Sequence, residues 1–342
     1  MTNNDLLVLK NKEVLVTGGC GFIGSEIVKQ LSMIGANVTI IDNLSSGKEK
    51  YVEDLSNVKL ITGDLLDDHT IESVVKDKEY VINNAALPFI PDSYYIPKKF
   101  FDVNVNATIS MALSAIKEKK VKRFVHISSS EIYGTARYTP MDENHQTTPQ
   151  STYAVSKLAG ERVVFTMYKE HNLPAVIIRP FNSFGPNITQ PYIIPEIITQ
   201  IMKGDVVKLG NLNAKRDLTF VSDTARGIIL SLVKEGVIGE VINIGSQRSY
   251  SIKDLVNLIS DIMEKKVSIE IDSSRFRPYD VDTLICNYER ANKLLGWKPE
   301  ISIEKGLETT IEWMKNNDIK FSAPFEGWPR SYRNMKNINW FI

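Results

Sequence analysis

Residues 13–24 read Glu13-Val14-Leu15-Val16-Thr17-Gly18-Gly19-Cys20-Gly21-Phe22-Ile23-Gly24, and the rest of the chain can be organised around this stretch. Glu13–Thr17 is a short apolar, valine-rich run that reads as a strand. From Phe22 to Ile34 the residues Ile23, Ile27, Leu31 and Ile34 fall on one helical stripe. Between strand and helix, Gly18, Gly21 and Gly24 make a G-x-x-G-x-x-G spacing. Glycine tolerates the backbone angles of a tight turn. It also lets a pyrophosphate approach the helix N-terminus, where free N–H groups and the helix dipole favour an anion. Phe22 and Ile23 open the helix and join the glycines as candidate cofactor contacts. A tight turn without any ligand would use the same glycines, so the flanking elements have to carry part of the argument.

Asn37–Ile41 is a second strand, and Asp42 ends it. A carboxylate there can accept both ribose hydroxyls of NAD, and it would repel the 2′-phosphate of NADP. No arginine lies nearby to rescue that phosphate, so NAD is the expected cofactor. Asn43 stands beside it. Asp64, followed by Leu65, is placed either to touch the adenine end or to cap a loop. Ala85 and Ala86, after a strand at Tyr80–Asn83, complete the candidate cofactor set together with Asn104. Arg123–Ile127 and Ala175–Ile178 are two further apolar strands. Continuous apolar strands separated by helical patterns predict an α/β chain with a parallel sheet covered on both faces, a doubly wound Rossmann-type fold. Proline and glycine punctuation thickens after Arg179. Residues 1–180 are therefore expected to form the dinucleotide-binding domain and 181–342 mainly a smaller substrate lobe. The lobes should interleave, because Val241–Ile244 looks like a buried strand returning to the first sheet. Ser251-Ile252-Lys253-Asp254 resembles a capping box opening a helix with Leu255, Ile259 and Ile262. The stretch 321–342 is aromatic and irregular and receives no role.

Composition excludes several classes. The chain has 342 residues, 43% of them apolar, and its 41 basic and 41 acidic residues balance. No basic field is available for nucleic acid or an anionic membrane. Two cysteines, Cys20 and Cys286, make neither a disulfide framework nor a metal-ligand spacing. His69, His126, His145 and His171 show no ligand spacing either, so no metal is expected. Met1–Lys10 has no signal-peptide pattern and no apolar run is long enough to span a membrane, which points to the cytoplasm.

The catalytic candidates lie further on. Tyr153 and Lys157 are four residues apart and share a helix face. A phenol titrates near about 10. A neighbouring ammonium and the positive ring of NAD would lower that value, so Tyr153 can take a proton from a hydroxyl while hydride leaves the same carbon. Ser129, at the end of the 123–127 strand, is placed to hold the same oxygen.

Together, Gly18–Gly24, Asp42, Asn83-Asn84-Ala85-Ala86, Ser129 with Tyr153 and Lys157, and Arg179-Pro180-Phe181-Asn182-Ser183-Phe184-Gly185-Pro186 resemble the extended short-chain dehydrogenase/reductase family, in its branch of nucleotide-sugar epimerases and dehydratases. The resemblance runs from about residue 12 to Pro299. It implies tightly held NAD, a UDP-, GDP- or dTDP-sugar substrate, and a homodimer built on two long helices near 98–118 and 151–171.

Glu131 separates the chemistries within that branch. A 4-epimerase removes hydride, lets the ketone rotate and returns hydride, and needs no extra carboxylate. A 4,6-dehydratase needs a base for the C5 proton, and Glu131, two residues after Ser129, fits that position. In dTDP-glucose dehydratases an Asp precedes this Glu. Here that place is Ser130, so the proton for the departing C6 hydroxyl has to come from another group, such as Glu131 once protonated. The Ser129-Ser130-Glu131 triplet resembles both nucleotide-N-acetylglucosamine 4,6-dehydratases of the legionaminate type and UDP-glucuronate decarboxylases, and the Ala85–Tyr94 stretch looks closer to the former. The leading expectation is that activity on a UDP- or GDP-N-acetylglucosamine. The alternatives are a 4-epimerase, a UDP-glucuronate decarboxylase (for which residues 85–94 supply no cation), and a non-catalytic NAD-binding regulator. Asn182, Arg216 and Arg277 are the candidate substrate contacts beside Ser129, since guanidinium forks match phosphate oxygens.

Overall fold

The computed structural model describes residues 5–276, 279–317 and 319. Its first lobe runs β1 (Glu13–Thr17), α1 (Phe22–Ile34), β2 (Asn37–Asp42), β3 (Val58–Thr62), α2 (Asp68–Val75), β4 (Tyr80–Asn83), α3 (Ile90–Ser93), α4 (Pro97–Phe101), α5 (Ala107–Lys117), β5 (Arg123–Ile127), α6 (Thr152–His171) and β6 (Ala175–Pro180). The remainder runs β7 (Asn182–Phe184), α7 (Ile193–Lys203), β8 (Val206–Leu209), β9 (Lys215–Phe220), α8 (Val221–Val233), β10 (Val241–Ile244), β11 (Ser249–Ser251), α9 (Ile252–Ile262), β12 (Ser268–Ile271), β13 (Thr283–Leu284), α10 (Glu289–Leu295) and α11 (Ile303–Asn316).

Seven parallel strands form the main sheet in the order β10-β6-β5-β4-β1-β2-β3. The order reverses between β1 and β4, the switch point where open α/β sheets bind ligands beyond their strand ends. β10 pairs with β6, with Ile242 opposite Ile178, so the chain does return to the first sheet after building much of the second lobe. The strand period explains the sandwich. Val14 and Val16 pack on one face with Ile27 and Leu31 of α1 and Ile228 of α8. Leu15 points the other way, to a layer with Ile71 of α2, Met111 of α5 and Val164 of α6. Both faces are buried, so the strands read as unbroken apolar runs. β3 is one of the two edge strands and its side chains are only partly covered, which is why its sequence shows no such run.

The expected helix at 98–118 begins at Pro97 and is not uniform. A π-helical stretch, Asp102–Asn106, joins α4 to α5. The second expected helix is α6, capped by Ser151, whose hydroxyl accepts from the Ala154 N–H. The capping box at Ser251 is formed in both directions. The second lobe holds a small sheet in which β9 pairs with β7, β11 and β13. Ile197 and Ile201 of α7, Leu255 of α9 and Leu307 of α11 close its own core. No helix among the described residues is long and apolar enough to cross a membrane.

Candidate active site

The glycine turn sits at the C-terminal end of β1. Gly18 has φ +66°, and a Cβ added there would lie 2.9 Å from the Ala85 Cα. Only glycine meets both demands. A Cβ on Gly24 would lie 2.0 Å from the Gly18 carbonyl oxygen, so the helix could not pack this close to the turn with any side chain. Gly21 is the N-cap of α1 and supplies no side-chain cap. The N–H groups of Phe22 and Ile23 in the first turn are thus presented at an open helix end, the arrangement that holds a pyrophosphate.

Asp42 is buried at the end of β2. Its Oδ2 accepts from the Cys20 N–H at 3.0 Å and its Oδ1 from the Leu44 N–H at 2.8 Å. Those bonds fix the carboxylate and use two of its roughly four acceptor sites, leaving the others for a pair of ribose hydroxyls. Burial raises its pKa, and the two backbone bonds pull it back down. Turn and carboxylate together fit a dinucleotide. Asp64 is exposed and caps its own loop, accepting from the Leu66 N–H at 3.0 Å, while Asn43 donates to its other oxygen at 3.5 Å. Leu65 is buried behind it.

The loop after β4 is fastened from two sides. Thr17 Oγ1 accepts from the N–H groups of Asn84 and Ala85 at 3.0 and 2.9 Å, which leads the chain past Ala85 and Ala86 beside the glycine turn. Asn104 brackets Leu87, accepting from its N–H at 2.9 Å and donating to its carbonyl at 3.3 Å, and donates to Ser156 Oγ of α6 at 2.9 Å. With these bonds Asn104, expected as a cofactor contact, positions the loop against α6.

Tyr153, Lys157, Ser129, Ser130 and Glu131 are brought together and are all more than nine-tenths buried. Ser129 ends the β5 segment, and its hydroxyl accepts from the Glu131 N–H at 3.2 Å, starting the 3-10 turn Ser130–Tyr133 that carries Glu131. The Tyr153 phenol is pushed up to about 12, chiefly by burial; a hydrogen bond with Ser129 works against the rise and the Glu131 carboxylate adds to it. Lys157 is not among the groups that shift this phenol in the present arrangement. The ammonium is drawn 2.5 Å from the Ile127 carbonyl, and burial brings its own pKa down to about 8. Ser129 is the side chain that favours the phenolate in this structure. The ring of Tyr153 meets Phe100 edge-on at 6.3 Å, which fixes its direction.

Across the cleft, Asn182 opens β7, and its buried Oδ1 has no hydrogen-bond partner; Thr219 Oγ1, on the adjoining β9, is likewise unpaired. Buried acceptors of this kind are rare unless a ligand completes them. Arg216 lies on β9, is buried, and bonds to Asp280 at 3.3 Å and to the Lys215 carbonyl at 3.1 Å. Arg277 lies outside the described residues, as does the aromatic stretch from 321 onward. Two residues that the sequence analysis did not single out stand at the same cleft. Tyr192 stands at the start of α7, where burial drives its pKa upward and the Tyr153 phenol and the Asp92 carboxyl add to the rise. A lone acid directly after the apolar run Ala85–Pro91 is the signal that would have pointed to Asp92.

A glycine-turn dinucleotide fold with a Ser-Tyr-Lys centre defines an extended short-chain dehydrogenase/reductase. Residues 15–310 match the family model described as GDP-mannose 4,6 dehydratase. The dTDP-glucose 4,6-dehydratase of Streptomyces niveus is 31% identical over 324 residues, covering 89% of this chain and 93% of that protein. The structure of epimerase Mth375 from Methanothermobacter thermautotrophicus is similar with a TM-score of 0.87 and 31% identity, covering 92% of this chain and 95% of that one. The UDP-glucuronic acid 4-epimerase from Bacillus cereus, solved in complex with UDP-glucuronic acid and NAD, superposes with a TM-score of 0.83 at 27% identity, covering 89% and 99%. The chain belongs to the GDP-mannose 4,6-dehydratase family of nucleotide-sugar epimerases and dehydratases.

Proposed function

We propose that the protein is an NAD-dependent nucleotide-sugar 4,6-dehydratase acting on a UDP- or GDP-linked N-acetylglucosamine. The observation that carries this reading is the Glu131 carboxylate, close enough to Tyr153 for its charge to act on the phenol. In this reading Gly18, Gly21, Phe22, Ile23, Gly24 and Asp42 hold the dinucleotide, and Ala85 and Ala86 line its approach. Bound NAD supplies the acceptor for hydride from C4 and the donor that returns it to C6. Tyr153 takes the O4 proton, Ser129 holds that oxygen, and Lys157 contributes positive charge from the same helix face. A C4 ketone acidifies the C5 proton, and Glu131 removes it. The C6 hydroxyl then leaves with a proton as water, and Glu131, now protonated, supplies that proton in this reading, because Ser130 replaces the second carboxyl. Asn182 and Arg216 contact the nucleotide sugar from the second lobe, and the same role is proposed for Arg277. Exposed Leu113 on α5 and Val155 on α6 are consistent with a homodimer through these helices.

The test is incubation with UDP- or GDP-N-acetylglucosamine in deuterated water. A 4-keto-6-deoxy product labelled at C5 is expected. Clean inversion at C4 without label would instead establish the second reading, a 4-epimerase. That reading is favoured by Ser130, since C4 inversion has no need of the acid missing there.

A further inference from the structure

We propose that Asp92 is a specificity-determining residue of the sugar subsite: its carboxyl accepts from a hydroxyl or amide N–H on the sugar and turns away nucleotide sugars that carry a carboxylate. The inference rests on the nucleotide-sugar reading but not on the choice between dehydratase and epimerase.

Asp92 lies in the four-residue α3, in the loop that leaves β4 beside the switch point. It is 6% exposed, and its buried Oδ1 has no hydrogen-bond partner. Local structure does not account for it. The N-cap of α3 is Phe89, with no side-chain cap, and Ser93 Oγ donates to the Ile90 carbonyl. The N–H groups of Tyr95 and Ile96 bond to the main-chain oxygen of Asp92, not to its carboxyl. A desolvated acceptor left without a donor is destabilising unless something else supplies the donor.

Its neighbours say where that donor comes from. Burial raises the Tyr192 phenol, and the charges of Tyr153 and Asp92 raise it further. Phe89, three residues before Asp92, meets the same ring edge-on at 5.9 Å. Tyr192 belongs to the second lobe and α6 carries Tyr153, so α3, which packs on α6 and reaches the Tyr192 ring through Phe89, lies where the two lobes meet. Burial raises Asp92 to about 7, with no cation among its causes. A sugar carboxylate placed here would meet a second negative charge in a desolvated site, the kind of repulsion that interfaces use to reject wrong partners.

The holoenzyme, loaded with NAD, is titrated calorimetrically at pH 8 with UDP, with UDP-N-acetylglucosamine and with the corresponding UDP-N-acetylglucosaminuronate. The wild type is expected to bind the neutral sugar at least about tenfold more tightly than the uronate. Asp92→Asn, which keeps the shape and removes the charge, is expected to close that ratio about tenfold while leaving UDP affinity unchanged. Equal affinity for the two sugars in the wild type overturns the proposal, whatever the variant does. An unchanged ratio in Asp92→Asn, or an equal loss for UDP alone, also overturns it. If NAD binds but neither these UDP compounds nor their GDP counterparts do, the nucleotide-sugar reading falls and this inference with it.

Discussion

Arg179 and Glu161 meet fork to fork beneath the active-site helix, Nε donating to Oε2 at 3.0 Å and Nη2 to Oε1 at 2.6 Å. Both side chains are buried. Ser128 Oγ donates to the same Oε2 at 2.7 Å, and Arg179 Nη1 donates to Tyr133 Oη at 2.7 Å, which donates in turn to Asn243 at 2.8 Å. One charge pair therefore ties α6 to β6, to the segment that carries Ser129 and Glu131, and to β10. Removing one member leaves a buried charge unpaired, which costs about 3–5 kcal/mol. Glu161→Gln should lower the unfolding free energy by that amount in denaturant titration. A change under about 1 kcal/mol would show that the pair is replaceable.

Lys157 gives the unliganded protein a pH signature. Its pKa falls from the ordinary 10.5 to about 8 on burial. Between those values the unfolded chain binds more protons than the folded one, so stability contributed through this group rises with pH across the window and levels off above it. The stability of the wild type minus that of Lys157→Met, measured on protein stripped of dinucleotide, should increase by roughly 1–3 kcal/mol from pH 8 to pH 10.5. A difference that stays flat would mean that the ammonium is not desolvated.

Gly24→Ala tests the packing of α1 on the turn. The new Cβ would sit 2.0 Å from the Gly18 carbonyl oxygen, which is backbone and cannot swing aside. The helix must move away, at a cost of about 1–3 kcal/mol for overpacking. The N–H groups of its first turn move with it. Binding of NAD, followed by quenching of protein fluorescence, should weaken by at least about tenfold, a change of ~1.4 kcal/mol. Unchanged affinity would separate the glycine turn from the cofactor.

Much of this architecture is legible in the sequence because both faces of the main sheet are buried. Val14, Leu15 and Val16 are apolar in succession only because alternate side chains enter two different cores. β3 escapes the same reading because its exposed edge relaxes that demand. Tyr153 and Lys157 are visible through helix spacing, and Glu131 through its distance from Ser129. What spacing cannot convey is competition for partners. Lys157 bonds to the Ile127 carbonyl, thirty residues away, and Asn104 to Leu87, seventeen away. Asp92 escapes notice for a related reason, since an acid in a loop acquires meaning only when Tyr192 arrives from the other lobe.

Asp42 should decide between the two dinucleotides. Its two fixed bonds, to Cys20 and Leu44, hold a buried negative charge beside the turn. A 2′-phosphate would face that charge, while a 2′-hydroxyl donates to it. Asp42→Ser should weaken NAD binding about tenfold or more and leave NADP binding no worse, so the measured preference narrows by at least that factor. A variant that keeps its full preference for NAD would move the discrimination elsewhere in the loop.

Glu131→Gln bears most directly on the chemistry. The amide keeps the size of the side chain and loses the base. Tyr153 is relieved of a negative neighbour, because the carboxylate raises its phenol in the present arrangement. Oxidation at C4 should therefore survive in the variant, or become easier at lower pH, whereas removal of the C5 proton should slow by about 10²–10⁴-fold. Reduced dinucleotide should then accumulate in a single turnover, with no exchange of deuterium into C5. An enzyme that only inverts C4 makes no use of that base and would keep most of its turnover. Rapid-mixing absorbance of the reduced cofactor, read beside the label in the product, distinguishes the two. Full activity in Glu131→Gln would remove the one group on which the dehydratase reading rests, and would leave Tyr153, Lys157 and Ser129 as the machinery of an epimerase.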